Sequence, residues 1–416
     1  MKIAIIGGGA SGLFCAAKLY ALLKDKNISI DIIEKDKKVG RKILMTGNGK
    51  GNISNSNVSV VKYNNDFVSC ALDHLSYLDL VNFFESKGVL LTKDEEGRVY
   101  PRSETSNTIL DTLRSSYESN FINEILETNI ERLNFEKDKI RVIGKNFNKL
   151  YDYVVVTTGT KAGLNNILNN FNEELIKSTD HKLTSSYPAL SPLFVKENIA
   201  SLRGVRAKVK ASMEIDKLYE VEGEVLFKDA SLSGICMFEL STFYARNMIK
   251  DKLNKVSLEL DFLKELKIEL LIDKLKGIRN NLPNNDASIL LNGFFPKMLA
   301  KYILDASKLN LKGRKNKDLD DKELEIIASN IKKQRFNVET KKTSSNCQVM
   351  VGGVDLNEVN PSTLESKLHS NLFFGGEVLN IDGQCGGFNL HFAFASGNLI
   401  AKSISKRIGE QYEKNS

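Results

Sequence analysis

The chain of 416 residues has no tryptophan, six prolines, four histidines and five cysteines. Each scarcity narrows what it can be. The thiols Cys15, Cys70, Cys236, Cys347 and Cys385 are widely spaced, odd in number and never in a Cys-x-x-Cys pair. That excludes a disulfide scaffold and points to reduced cysteines. None of the histidines stands at metal-ligand spacing from a cysteine, so no metal centre is expected. No apolar run reaches the roughly 18 residues of a membrane span. Ile3 to Ala17 is nearly uncharged but holds four glycines in a nucleotide-loop pattern, which argues against a secretory signal and for a cytoplasmic protein. Lys and Arg exceed Asp and Glu by only 59 to 52, an excess that reads as spread along the chain and argues against a nucleic-acid partner. At 42% apolar and 27% charged residues, the composition is that of a soluble globular protein of two or three domains.

Periodicity supplies the organisation. Lys2 to Ile6 reads as a strand, Ser11 to Leu23 as a helix and Ile28 to Glu34 as a second strand, which together make a βαβ unit. A Gly/Asn-rich stretch follows, then helix over about Phe67 to Gly88, a hairpin at Glu96-Gly97-Arg98, helix near Thr105 to Ser119, a strand pair within Phe121 to Ile143, and a strand from Tyr153 that ends in Thr158-Gly159. Tyr187 to Pro192 holds two of the six prolines and marks a domain crossing. Beyond it, Phe194 to about Lys255 reads as period-2 strands and Ser257 to about Leu309 as helical. Gly-rich α/β character returns from Val349 onward. The expected architecture is α/β: a discontinuous dinucleotide-binding domain (1–190 and 346–416) with an insertion between its halves, of which 191–256 and 320–345 are grouped as its strand-rich part and 257–319 as its helical part.

Three segments carry chemistry. Gly7-Gly8-Gly9-Ala10-Ser11-Gly12 fits G-x-G-x-x-G between a strand and a helix. Gly7 permits the turn, Gly9 lets a pyrophosphate approach, Gly12 lets the helix pack close, and the free amides at Ala10 and Ser11 hold phosphate charge. Glu34 ends the second strand 22 residues after Gly12, where a carboxylate accepts bonds from a ribose diol and repels a 2′-phosphate. FAD or NAD is therefore favoured over NADP. The neighbouring Lys35, and Ile130, Thr158 and Gly159, join the cofactor envelope. The loop from Gly40 to Asn52 reads either as a surface loop of a Lys/Asn-rich protein or as a second cofactor segment. In the second case Arg41 and Lys42 lie near the pyrophosphate, Gly47 and Gly49 let backbone near the ring, and Thr46, Asn48 and Asn52 donate to carbonyls. The third segment has Gly376, Glu377 and Asp382, then Gly386, Gly387, Phe388, Asn389 and Leu390 opening a helix whose amides can face a flavin.

These segments resemble the aminoacetone oxidase-like flavoproteins, whose members are also described as NAD(P)/FAD-dependent oxidoreductases. The Gly40 to Asn55 stretch is similar to the family's G-R-K-x-x-x-T-G-N-G-R-C-N-x-T-N, and Gly376 to Asn389 to its G-E-x-x-D-x-x-G-x-x-G-G-Y-N. Tyr187 to Leu193, Gly223 to Gly234 and Gly352 to Asp355 extend the resemblance over essentially the whole chain. The resemblance implies a discontinuous Rossmann-like FAD-binding domain (1–190 and 346–416), with an inserted β-barrel-like domain (191–256 and 320–345) and a small helical domain (257–319) closing over the flavin. The chain departs from the family at Lys50-Gly51 (Arg-Cys), Asn380 (Asp), Phe388 (Tyr) and His391 (Gln), and Asp229 with Ile235 stands where the insert usually has His and Pro.

The function expected is hydride transfer between FAD and a small organic substrate. Only one G-x-G-x-x-G has a full βαβ context, so no second Rossmann domain for a nicotinamide is evident. Reoxidation by O2 and transient NAD(P)H docking both stay open. Reduction of an activated C=C bond is one alternative, and a non-catalytic flavin-binding or RNA-associated factor is another. No catalytic residue is assigned. His391 reads either as a proton donor or, more commonly for a helix histidine, as a packed side chain. Oligomeric state is left open.

Overall fold

The computed structural model describes residues 1–163, 173–249, 256–339 and 347–414. The chain divides into two compact units, Met1–Tyr187 with Ser344–Ser416, and Pro188–Thr343.

The first unit is built on five parallel strands. In chain order these are β1 (Lys2–Ile6), β2 (Ser29–Ile33), β3 (Ile122–Ile125), β4 (Tyr153–Val156) and β5 (Leu372–Phe374), with helix α1 (Ala10–Leu23) between β1 and β2 and helix α2 (Phe388–Lys414) after β5. Their order across the sheet is β5-β4-β1-β2-β3, all parallel. Such a sheet is covered on both faces, so its central strands are continuous apolar runs such as Tyr-Val-Val-Val, every residue of which is buried. The order reverses direction between β1 and β4, which opens a crevice at their carboxyl ends. Between β3 and β4 a meander of Ile130–Glu136, Lys139–Gly144 and Phe147–Tyr151 forms a separate antiparallel sheet.

β5 and α2 come from the far end of the chain and are held in this unit by close packing of α2 on α1. A Cβ on Gly397 of α2 would stand 2.4 Å from the Ser11 carbonyl oxygen and 3.0 Å from the Cys15 nitrogen. The backbones therefore touch where Gly397 has no side chain. Beside it, Ser396 Oγ lies 3.1 Å from Ser11 Oγ and accepts from Gly376 N at 2.8 Å, tying both helices to the loop after β5.

The second unit has a six-stranded antiparallel sheet in the order Leu193–Phe194, Ser231–Ser233, Leu218–Phe227, Arg206–Glu214, Ser257–Asp261, Gln334–Asn337. Its two edges meet: Val195 bridges Val338, Lys196 N donates to Asn337 O, and Glu339 N donates to Phe194 O. The sheet closes on itself as a barrel. Two sequence readings are corrected here. Ser257–Asp261, read as the start of the helical part, is a barrel strand that buries Leu258 and Leu260 in period 2. The span read as strands up to Lys255 contains helix Ile235–Ile249, whose apolar residues follow no clean period of two. Helices Ile268–Asn281, Lys297–Ala306 and Asp321–Lys332 complete the unit. The last of these begins at a capping box of Asp320 and Glu323 and lies within the span read as barrel, whose residues 340–345 fall outside the described ones.

Ala normally stabilises a helix interior relative to Gly by about 1 kcal/mol. Gly397→Ala is expected to do the opposite and destabilise the first unit by about 1–3 kcal/mol through overpacking against α1, read as a lower urea midpoint.

Candidate functional site

The crevice at the carboxyl ends of β1, β4 and β5 collects residues from both chain ends. After β1, Gly7 adopts φ +105°, and a Cβ there would lie 2.5 Å from the Thr157 carbonyl at the end of β4. Gly12 is equally constrained, because a Cβ would meet Gly7 O at 2.1 Å. Gly9, the N-cap of α1, is different. No side chain caps the helix there, and a Cβ would have nothing within 4 Å. Ala10 and Ser11 follow in the first turn, so uncapped amides and the positive end of the helix dipole face open space.

Glu34 lies just after β2 and is 3% exposed; its Oε2 accepts from Gly8 N at 2.9 Å and its Oε1 from Asp36 N at 3.0 Å. Burial pushes its carboxyl above the usual range against those two bonds. Lys35 is half-buried beside it. Thr128 N donates to Glu34 O, which brings buried Ile130, at the start of the meander, to the same strand end. Arg41 pairs with Asp36 at 3.2 Å.

The Gly40–Asn52 loop is a tight 3-10 segment with a kink. Thr46 Oγ1 donates to Ile43 O, and Gly47, Asn48 and Gly49 all have positive φ. Lys42 Nζ reaches across to Glu377 Oε2 at 2.6 Å, joining the early loop to the late one. With its amide turned so that Nδ2 faces Ser54 O and Val99 O, Asn52 accepts from Gly387 N at 3.2 Å. Gly387 in turn has φ +101° and a Cβ position 2.3 Å from Ser54 O. At the end of β4, the Thr158 hydroxyl is buried and bonded to nothing among the described residues. Gly159 beside it has φ +69° and only Glu377 Oε2, at 3.9 Å, near its Cβ position.

The late segment is firmly held. Gly376 has φ +71°, and Asp382 is 1% exposed with its amide on Asn64 Oδ1. Gly386 has φ +117°, and its carbonyl accepts from Asn55 Nδ2. Phe388 is buried, its carbonyl accepting from Tyr63 Oη at 2.9 Å. Asn389 folds back on Gly383, accepting from its amide and donating to its carbonyl, and Leu390 is half-buried. His391 is fully buried. Leu75 O can only accept, so Nε2 carries the proton toward it at 3.0 Å and Nδ1 accepts from Ser54 Oγ at 2.8 Å. Both ring nitrogens are occupied, which answers the choice left open by sequence: this histidine clamps β-hairpin, loop and helix together.

Two side chains of this crevice were not singled out from sequence. The strand Arg98–Pro101 lies against both glycine turns. The Tyr100 ring lies 3.2 Å from the Cβ position of Gly47, and Arg98 Cγ lies 3.7 Å from that of Gly386. Arg98 is fixed by Asp94, whose Oδ2 accepts from its Nε at 2.7 Å, and by Glu96. Burial raises the Tyr100 phenol above its ordinary pKa. Their only sequence signal was the i, i+2 spacing on a hairpin strand.

An open helix start, a crevice of glycines with positive φ, an orphaned buried hydroxyl and a carboxylate at the end of β2 together fit a dinucleotide such as FAD. The chain matches the family described as HI0933-like protein Rossmann domain over residues 1–403. It belongs to that family of FAD-dependent Rossmann proteins. Among curated relatives, the 3-dehydro-bile acid delta(4,6)-reductase of Clostridium scindens is 31% identical over 98% of this chain and 99% of that protein. The ribosomal RNA dihydrouridine synthase of Haemophilus influenzae is 25% identical over 97% and 98%. A flavocytochrome c3 fumarate reductase in its open conformation aligns with a TM-score of 0.45 at 15% identity, over 97% of this chain and 78% of that one. In this HI0933-like chain, no helix among the described residues is long and apolar enough to cross a membrane, and no described group of His, Cys, Asp and Glu could hold a metal ion.

Two outcomes follow. Gly9→Glu leaves the packing untouched but sets a carboxylate in the open space at the helix start, so the purified variant is expected to fold and to lack flavin absorbance. Burial lowers the His391 pKa to about 4, whereas an unfolded histidine titrates near 6.5. Between those values the unfolded chain binds a proton that the folded one refuses. Stability therefore falls as pH drops from about 6.5 to about 4, by about 3 kcal/mol for this residue. His391→Gln is expected to remove that part of the slope in urea titrations across pH.

Proposed function

We propose that the protein is an FAD-dependent reductase that adds hydrogen across a carbon–carbon double bond conjugated to a carbonyl. The observation that carries this reading is the chemistry common to the two relatives it matches end to end. A delta(4,6)-reductase acting on a 3-dehydro bile acid saturates ring bonds conjugated to a 3-keto group, and dihydrouridine is uridine with the bond conjugated to its C4 carbonyl saturated. A steroid and a pyrimidine share little shape. Both present an electrophilic β-carbon.

FAD, when bound, supplies a hydride to that carbon, the two electrons coming from a nicotinamide donor that docks transiently. What the chain must add is positioning, exclusion of water, a hydrogen-bond donor to the carbonyl and a proton for the α-carbon. Arg98 and Tyr100, beside the two glycine turns, are suited to the last two tasks. Arg98 stays protonated at any working pH, and with its Nε and Nη2 held by Asp94 and Glu96 it serves as a fixed donor through Nη1 rather than as a net positive charge. Tyr100, with a raised pKa, keeps its proton at neutral pH until the α-carbon takes it, and water then restores it.

Anaerobic mixing is the test. NADPH or NADH is expected to bleach the flavin, and 2-cyclohexenone is expected to restore its colour without oxygen. Reduction by an amine, with reoxidation only by O2 and release of peroxide, overturns the reading in favour of an oxidase. Tyr100→Phe is expected to slow reoxidation by the enone about a hundredfold while leaving reduction by the nicotinamide unchanged.

A further inference from the structure

The hairpin turn that carries Arg98 is rigid within itself. Asp94 Oδ1 accepts from Glu96 N at 3.1 Å and from Arg98 N at 2.9 Å, its Oδ2 accepts from Arg98 Nε at 2.7 Å, and Gly97 N donates to Asp94 O. The Glu96 carboxylate completes the grip on the guanidinium. These bonds set the shape of the turn. None of them sets where the turn stands against the late glycine segment.

That task falls to a side chain outside the hairpin. Asn55 lies opposite Arg98 in the antiparallel pairing of Ser54–Asn55 with Arg98–Pro101, so the two side chains share one face of the sheet. Both reach Gly386, whose Cβ position has Asn55 Nδ2 at 3.6 Å and Arg98 Cγ at 3.7 Å. Asn55 is 4% exposed. Its Nδ2 donates to Glu96 O at 3.2 Å and to Gly386 O at 3.1 Å, while its Oδ1 accepts from Asn57 N at 2.9 Å. Carbonyls cannot donate and a main-chain amide cannot accept, so the side-chain amide has one orientation. Gly97 closes on it from the other side, with φ +81° and a Cβ position 2.7 Å from Asn55 Oδ1.

Glu96 is therefore engaged twice, its carboxylate by Arg98 and its carbonyl by Asn55, whose second proton is on Gly386. We propose that Asn55 is a positioning residue: it fixes Arg98, and with it the donor Nη1, relative to the Gly386-Gly387 turn without touching substrate itself. This rests on the reductase reading, in which Arg98 donates to the substrate carbonyl. Asn52 spans the same gap between Val99 O and Gly387 N, which keeps the segments joined when Asn55 is changed.

The test uses the full-length, FAD-loaded protein. Asn55→Asp sets an oxygen in place of Nδ2, facing two carbonyl oxygens, and Asn55→Ser leaves those carbonyls to water. Both variants are expected to keep their flavin absorbance and circular dichroism. Both are expected to be reduced by NADPH or NADH within about twofold of wild type, yet to be reoxidised by 2-cyclohexenone about tenfold to a hundredfold more slowly. With Arg98→Met in place, adding Asn55→Ser is expected to slow reoxidation by less than about twofold more, because the group it positions is gone. Phenylglyoxal, which modifies guanidinium groups, is expected to label Arg98 about tenfold faster in both variants than in wild type, read by peptide mass spectrometry. The exposed Arg102 is the internal reference. Loss of flavin from both variants, equal slowing of the nicotinamide and enone steps, losses that multiply in the double variant, or unchanged labelling of Arg98 each overturns the inference. Wild-type protein that the enone does not reoxidise removes the reductase reading alone, and the labelling ratio then decides by itself whether Asn55 holds Arg98.

Discussion

The first unit depends on how closely its first and last helices approach. Gly397 lies against the backbone of Ser11 and Cys15 with no room for a side chain, and Ser396 ties Ser11 to the amide of Gly376. Through that contact a strand separated from β1 by some 370 residues enters the same sheet next to β4. The two glycine-rich turns then lie on one crevice, bridged by Lys42 and Glu377 and by Asn52 and Gly387. Small residues at one helix crossing convert two distant sequence motifs into one site.

The parts legible in sequence were those fixed by local physics. The β1–α1–β2 unit shows its strands as short apolar runs and its turn as a glycine pattern, and Glu34 fell at the spacing that the fold imposes. Arg98 and Tyr100 were not legible because nothing local marks them. They matter only because a hairpin folds back against Gly47 and Gly386, which lie about 50 residues before and about 290 residues after them in the chain. The helix Ile235–Ile249 was missed for another reason: its buried face mixes Cys236, Ser241, Thr242 and Asn247 with aliphatics, so no hydrophobic period stands out.

The departures from the family pattern acquire structural reasons in three dimensions. Gly51 has φ +79°, and a Cβ there would lie 3.0 Å from Ser106 Cα, a position where glycine is the unstrained choice. Asn380 accepts from Gly352 N and donates to Thr184 Oγ1, a contact that an aspartate would keep only with the threonine hydroxyl turned round to donate. Phe388 is buried with Tyr63 edge-on against its ring, an apolar setting that suits phenylalanine, and the Tyr63 hydroxyl donates to its main-chain carbonyl. His391 satisfies two partners that lie on different elements. These four positions each meet neighbours that suit the residue present, whereas nothing in the structure explains Lys50, Asp229 or Ile235.

Charge is distributed with the same logic. The unit that fits a dinucleotide has no net charge, although that ligand carries two phosphates. A pyrophosphate drawn into a crevice is held by oriented amides at a helix start, which cost no desolvation of a lysine and are little affected by salt. The first turn of α1 accordingly carries no lysine or arginine, and the cationic excess of the chain lies wholly in the inserted unit, away from the residues that fit the pyrophosphate.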